Sequence, residues 1–379
     1  MVPPEAHLKA KIKIVGVGGG GCNALDSMMD RGLGGVDFIA VNTDSQHLNK
    51  SKPYNKLEIG SRSTRGLGAG GIPSVGEDAA TEDKARISEM LEGTDMVFVT
   101  AGMGGGTGTG AAPVVCKASK EVGALTVAIV TLPFSFEGEA KMEIANEGIS
   151  RLEREADTLI IVPNDKLCDR ENPALLKDAF ASANDVLFRA VSGITEIINS
   201  PGLINTDFAD VKTIMSQAGS KAIMGTGSAE GADRAVKATE TAVESPLLGA
   251  LSIEGAQGVL LHIVAPPDFG TDELEKACNY VTKKASSDVK LIFGYSEYSK
   301  EESGQEVRIT IIATGIEEAG SRSAAPQPLA APQRKQTNGT GTGANDLFTP
   351  RGGKPATEGG EDLDVPTYLR KKENDEPED

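Results

Sequence analysis

Met96-Val-Phe-Val-Thr100, then Gly104-Gly-Gly-Thr-Gly-Thr-Gly110, then Ala111-Ala-Pro-Val-Val-Cys116: an apolar run, a glycine run and a segment able to start a helix stand in succession. A strand, a glycine loop and a helix in that order make a pocket for phosphate. The glycines bring backbone N–H groups close to an anion, and the helix N-terminus adds its dipole. A flexible linker can share this composition, but a linker does not usually sit pressed between an apolar strand and a helix start.

The arrangement also occurs earlier. Lys11-Ile-Lys-Ile-Val-Gly-Val17 reads as the opening strand, and Gly16-Val-Gly-Gly-Gly-Gly-Cys-Asn23 as its loop. Asn23-Ala-Leu-Asp-Ser-Met-Met29 reads as the first turns of a helix. Gly16, Gly18 and Gly21 satisfy G-x-G-x-x-G, and Asp44 follows about twenty residues on, which is the fingerprint of a dinucleotide-binding Rossmann enzyme. A simple dinucleotide site gives the later glycine loop no role. Two loops favour a nucleotide whose phosphates need two cradles. No G-x-x-x-x-G-K-[ST] occurs, which excludes a P-loop NTPase.

The 379 residues suffice for two ordinary domains, and at 39% hydrophobic the chain reads as soluble and globular. The longest apolar stretch, Ala124–Leu132, is too short to span a bilayer, and no basic-then-apolar leader suggests secretion. Four scattered cysteines have neither metal-site nor disulfide spacing, so reduced thiols in a cytosol are expected. The net charge of −17 and the absence of Trp argue against nucleic-acid binding. An anionic nucleotide must then be held by backbone amides, a metal ion and very few cations.

Candidate strands lie at 12–17, 36–41, 95–100, 124–131 and 158–162, alternating with helical patterns. This predicts an α/β fold of Rossmann type, a parallel sheet with ligand at the strand C-terminal ends. Asn42-Thr-Asp44, Thr131-Leu-Pro-Phe134 and Pro163-Asn-Asp165 fall at those ends beside the glycine loops. The spacing predicts a long amphipathic helix from about Asp178 to Asn199, with Phe180 and Asn184 four apart on one face. A smaller α/β unit follows, with helices from Asp207, at 231–244 and at 271–285, an apolar run at 221–224, and strands at 258–265, 289–295 and 306–314. The expected division is a nucleotide-binding domain at 1–177, the central helix at 178–204 and a C-terminal α/β domain at 205–316. Residues 317–362 are too poor in large apolar side chains to order themselves and read as a tether. Residues 363–379 hold one apolar and basic island before an acidic end, which reads as a docking peptide.

Together these residues resemble the FtsZ family, prokaryotic cell-division relatives of tubulin. Gly104–Gly110 is similar to the tubulin-superfamily signature. The likeness is narrowed by Gly16–Asn23, Val41-Asn-Thr-Asp44, Thr64-Arg-Gly-Leu-Gly-Ala-Gly-Gly71, Pro133-Phe-Ser-Phe-Glu-Gly138, Pro163-Asn-Asp-Lys166 and Asn205-Thr-Asp-Phe-Ala-Asp-Val211, in family order over residues 10–316. The resemblance implies that Gly18, Gly19, Gly20 and Gly21, with Gly104, Gly105, Gly106, Thr107, Gly108, Thr109 and Gly110, wrap the phosphates of GTP. It implies that Asn23 and Asn184 contact the guanine edge, to which an amide offers both donor and acceptor. Phe180 would stack on the base and Glu137 would accept from the ribose hydroxyls. Thr131, Pro133, Lys141 and Asn164 complete the implied nucleotide set. Lys141 departs from the Arg frequent in the family, keeping the charge but losing the planar fork. Without the resemblance, Phe180 reads as core packing and Glu137 as a solvated loop charge.

From the residues alone, Asp207 and Asp210 are helix-capping acids. The resemblance implies that their loop enters the nucleotide site of the next subunit in a protofilament. There Asp207 and Asp210 would position and polarise the attacking water, with Asn205 supporting contacts to the γ-phosphate. Mg²⁺, held mainly by the GTP phosphates, would offset their charge. The implied protein is a GTPase of the cytoplasm and the division site that forms a head-to-tail homopolymer, and it neither binds nucleic acid nor inserts in the membrane. Asp364-Val-Pro-Thr-Tyr-Leu-Arg370 resembles the family's tail peptide, implying contacts with membrane adaptors and division regulators. The competing readings are a Rossmann oxidoreductase, which explains only the first glycine loop, and a hydrolytically inactive GTP-binding scaffold.

Overall fold

The computed structural model describes residues 10–167, 175–199, 207–217, 220–245, 247, 252–286, 288–298 and 305–316. Asn205, Cys168 and the tether and docking peptide from 317 onward lie outside the described residues.

Ten strands in the described residues form one sheet: β1 (Ile12–Val17), β2 (Asp37–Asn42), β3 (Asn55–Glu58), β4 (Met96–Gly102), β5 (Leu125–Leu132), β6 (Thr158–Pro163), β7 (Ser220–Ala229), β8 (Gly258–Ala265), β9 (Lys290–Glu297) and β10 (Val307–Thr314). Their order is β3-β2-β1-β4-β5-β6-β7-β10-β8-β9. β1 to β7 pair in parallel, β10 is antiparallel to both neighbours, and β8 and β9 pair in parallel. Every strand but β10 therefore points the same way. The sheet does not stop at residue 177. It continues into the second half through three residue pairs, Thr158–Ser220, Leu159–Lys221 and Ile160–Ala222.

The helices are α1 (Gly18–Asp30), α2 (Ser45–Lys50), α3 (Ser61–Thr64), α4 (Pro73–Glu82), α5 (Lys84–Leu91), α6 (Thr107–Glu121), α7 (Glu139–Glu155), α8 (Leu176–Asn199), α9 (Phe208–Gln217), α10 (Arg234–Val243) and α11 (Thr271–Lys284). Alternate strand residues face opposite layers. Ile12, Ile14, Phe98 and Ile129 pack on α1 and α8, while Val15, Val17, Val97 and Val99 pack on α4 to α7. In the second half, Leu260 and Ile312 meet the α8 layer, and Val259, Leu261 and Ile311 meet α10 and α11. Val186, Ala190, Ile194 and Ile197 of α8 are all buried at the spacing the sequence predicts. Each fully buried Ile or Leu side chain contributes about 1.5–3 kcal/mol, which suffices to dock an amphipathic helix along its length.

α8 crosses from one edge of the sheet to the other. Its start follows the C-terminal end of β6, and Asn199 near its end donates to the Gly35 carbonyl, 3.2 Å away, just before β2. Glu196 in the last turns meets the buried His262 of β8 at 3.1 Å, tying the helix to the second half of the sheet. Burial pushes the Glu196 carboxyl up, but the hydrogen bonds and charges of His262, Ser296 and Arg308 outweigh it and hold the group below its ordinary value.

Candidate nucleotide site

Both glycine runs enter their helices one turn earlier than the apolar pattern suggests: α1 begins at Gly18 and α6 at Thr107. The reason is close packing. A Cβ on Gly21 would lie 2.4 Å from the Thr100 carbonyl oxygen, and one on Gly108 would lie 2.4 Å from that of Gly102. The loops also meet each other. Gly18, at φ +71°, approaches so closely that a Cβ would stand 2.9 Å from the Gly108 nitrogen. Gly104, at φ +93°, turns the second loop, and its N–H donates to Thr109 Oγ1 at 2.9 Å. Glycine runs in the first turn leave the free N–H groups of each helix uncovered, which is what an anion needs. Gly20 is exposed, and a Cβ on Gly105 would meet nothing within 4 Å. That combination leaves room for a ligand between two walls of backbone amide.

The rest of the rim comes from neighbouring strand ends. Thr43 after β2 and Thr107 at the start of α6 share a hydrogen bond of 2.7 Å between their hydroxyls. Thr131 is the penultimate residue of β5, and its carbonyl accepts from the Met103 N–H at 2.9 Å. Pro133 packs against Gly104. Glu137 caps its own turn by accepting from the Phe134 N–H at 3.0 Å and pairs with the exposed Lys141 at 2.9 Å. An ionised carboxylate has about four acceptor positions, so both contacts leave capacity for a hydroxyl. Asn164 follows β6 and is buried, and among the described residues its Oδ1 has no partner, a polar atom still owed a donor.

Phe180 departs from the core-packing reading. It is 45% exposed and meets the buried Phe134 edge-on at 5.2 Å, leaving ring surface free, while Phe136 stacks on Phe134 at 4.9 Å. Asn184 is half-buried one turn further along α8, and Asn23 is exposed on α1. These helices pack side by side, with Arg31 paired to Asp185 and lying 5.3 Å over the Phe188 ring. The glycine loops, Thr131, Pro133, Glu137 and Asn164 thus fall at the C-terminal edge of the sheet, with Asn23 and Asn184 lower down on the adjacent helices α1 and α8. The Cys22 thiol beneath it is fully buried and pushed up to about 11 by burial, which makes it an inert filler.

Asp207 and Asp210 do not join them. Asp207 precedes α9, and its carbonyl accepts from the Asp210 N–H at 3.0 Å, as at a helix start. Asp210 is exposed and pairs at 3.1 Å with Lys290, the first residue of β9. The far end of α9 meets β6 at its beginning, where the Thr158 hydroxyl donates to the Met215 carbonyl. Both landmarks mark the N-terminal edge, opposite the glycine loops. α8, which spans the two edges, has 24 residues, or about 36 Å. Sequence reasoning placed Thr43 at a strand end within Asn42-Thr-Asp44 but singled out neither His47 nor Lys290. His47 lies in α2, the short helix that follows β2, and Lys290 carries no local signal.

Two family models match the chain: Tubulin/FtsZ family, GTPase domain, over residues 11–172, and FtsZ family, C-terminal domain, over residues 220–317. Among solved structures, an empty FtsZ dimer of M. jannaschii superposes with a TM-score of 0.77 at 44% identity, covering 81% of this chain and 88% of that one. CetZ2 from Haloferax volcanii, in a GTPγS-bound protofilament, gives a TM-score of 0.66 at 24% identity over 81% and 93% of the two chains. At that identity the likeness speaks for the fold alone.

Proposed function

Because this chain belongs to the FtsZ family of tubulin-like GTPases, we propose that it hydrolyses GTP only where two copies meet head to tail. One observation carries this reading: the amide-lined pocket and the Asp207–Asp210 pair stand on opposite edges of one sheet, separated by the length of α8. No single copy can bring them together. Two copies stacked along the strand direction can, and because the two contact surfaces differ, the contact repeats into an open filament. Leu67, Ile72 and Phe136 are exposed apolar side chains around the glycine edge, and covering them at a contact would add hydrophobic drive.

In this reading GTP lies along the glycine edge. The amides of Gly18 to Gly21 and Gly104 to Gly110 receive its phosphates, and Thr131, Pro133, Lys141 and Asn164 line the approach. Phe180 offers its free ring surface to guanine, Asn23 and Asn184 its polar edge, and Glu137 takes the ribose hydroxyls. Asp207 and Asp210 of the next copy orient water for attack on the terminal phosphate, supported by Asn205. Mg²⁺ fits this site as an ion riding on phosphate oxygens and offsetting their charge. Among the described residues no cluster of three His, Cys, Asp or Glu side chains forms a cage for it.

The division of labour follows: residues 1–177 bind nucleotide, 178–204 connect the edges, and 205–316 supply the acids. No helix among the described residues is long and apolar enough to cross a membrane. Action in the cytoplasm at the division site would then depend on Asp364–Arg370 docking to membrane adaptors and regulators, with 317–362 as tether.

The test is GTP hydrolysis per subunit against protein concentration with Mg²⁺, using ATP and NAD as controls. A threshold concentration, above which only GTP is consumed, supports the two-copy site. The Asp210→Ala variant should bind GTP and lose turnover. A constant rate per subunit at high dilution, or near-normal turnover in that variant, overturns the reading.

A further inference from the structure

His47 lies at the glycine edge without a role so far. Its backbone is fixed on both sides: its N–H donates to Asp44 Oδ1 at 3.0 Å and its carbonyl accepts from the Ser51 hydroxyl at 3.2 Å. The side chain is half-buried. A Cβ on Gly19 would stand 3.6 Å from its Cε1 and 3.9 Å from each ring nitrogen, so the imidazole lies against the first phosphate loop. Among the described residues the ring makes no hydrogen bond. Neither glycine loop contains a Lys, Arg or His, and Lys141 is engaged by Glu137. A site for a highly charged anion therefore has an uncommitted basic side chain at its margin.

The strand order gives that margin a direction. Going across the sheet one meets β2 with His47, then β1 and β4 with the glycine loops, then β5 with Glu137 and its aromatic cluster. A nucleotide lying on this edge with its base toward Phe180 directs its outermost phosphate toward β2. We propose that His47 donates a hydrogen bond to the terminal phosphate of GTP and has no partner on GDP, making it a residue that separates the two nucleotides. This rests on the nucleotide-site reading above.

The experiment compares binding of GDP and of a non-hydrolysable GTP analogue to the full chain, held below the concentration at which copies assemble. Variants are His47→Ala and His47→Gln, the second keeping an N–H donor. A hydrogen bond to a charged group is worth enough that His47→Ala should weaken the analogue about tenfold and leave GDP within about twofold, with His47→Gln recovering most of the loss. Equal weakening of both nucleotides would mean that His47 merely supports the loop, and unchanged binding of both would remove it from the site. Either result overturns the proposal while wild-type binding leaves the site reading intact. Failure of the wild-type chain to bind either nucleotide would overturn the site reading itself.

Discussion

If each active site is shared by two copies, two inactive variants should restore each other. Asp210→Ala keeps the glycine loops and lacks the acid. Its complement needs intact acids and a ruined nucleotide pocket in a chain that still folds. Gly105 meets that need, since a Cβ there touches nothing within 4 Å. Gly105→Asp should fold and place a carboxylate among the phosphates. At about 4 Å and an effective dielectric near 20, each unit of phosphate charge is repelled by about 4 kcal/mol, roughly a thousandfold in affinity. In an equal mixture, a contact works only when its nucleotide side comes from Asp210→Ala and its acid side from Gly105→Asp. Random pairing makes that about one contact in four, so hydrolysis should rise from near zero for each variant alone to at most about a quarter of the wild-type rate. Phosphate release reports the rate, and pelleting with a non-hydrolysable analogue verifies that the variants assemble together. A co-assembled mixture no more active than the sum of its parts would refute the shared site.

Two further outcomes follow from local geometry. Gly108→Ala drives a Cβ to 2.4 Å from the Gly102 carbonyl oxygen and should lower stability by about 1–3 kcal/mol. Gly105→Ala should leave it unchanged, and equal melting temperatures for the two would contradict the close-packed loop. In the second half, the buried Arg234 binds Glu273 through two nitrogens, at 3.0 and 3.2 Å, and holds that carboxyl below the usual range. The resulting stability is complete above the unfolded Glu pKa of about 4.3 and is lost as pH falls below it toward the lowered folded value. Urea midpoints between pH 6 and 3 should therefore fall more steeply for wild type than for Glu273→Gln, and parallel curves would dismiss the linkage.

The apolar runs disclosed the inner strands because each is nearly continuous and stopped by Gly, Asn, Thr or Pro. β3 escaped because Asn-Lys-Leu-Glu has one buried apolar residue on an edge strand. β7 read as a run at 221–224 because Gly225 and Gly227 interrupt its pattern. A Cβ at either would strike a backbone carbonyl of α10, at 2.0 and 2.1 Å, so these glycines let a helix lie directly on the strand. The placement of both glycine runs between a strand and a helix was legible in their spacing. The exposure of Phe180 was not, because i, i+4 spacing is the same for a core face and for a ring left open to a ligand. The distance between the glycine loops and Asp210 has no sequence signature either, since it depends on α8 crossing the whole sheet.

The three-pair seam between β6 and β7 has a mechanical meaning in a filament. In the shared-site reading, one longitudinal contact lies on loops of the first half of the sheet and the other at α9 in the second half. Tension along the filament must pass from one half to the other within every subunit. Among the described residues it can do so through the narrow seam, through α8, or through the contact of α9 with the start of β6. If the polymer bends, the short β6–β7 pairing is where relative movement of the two halves should be looked for.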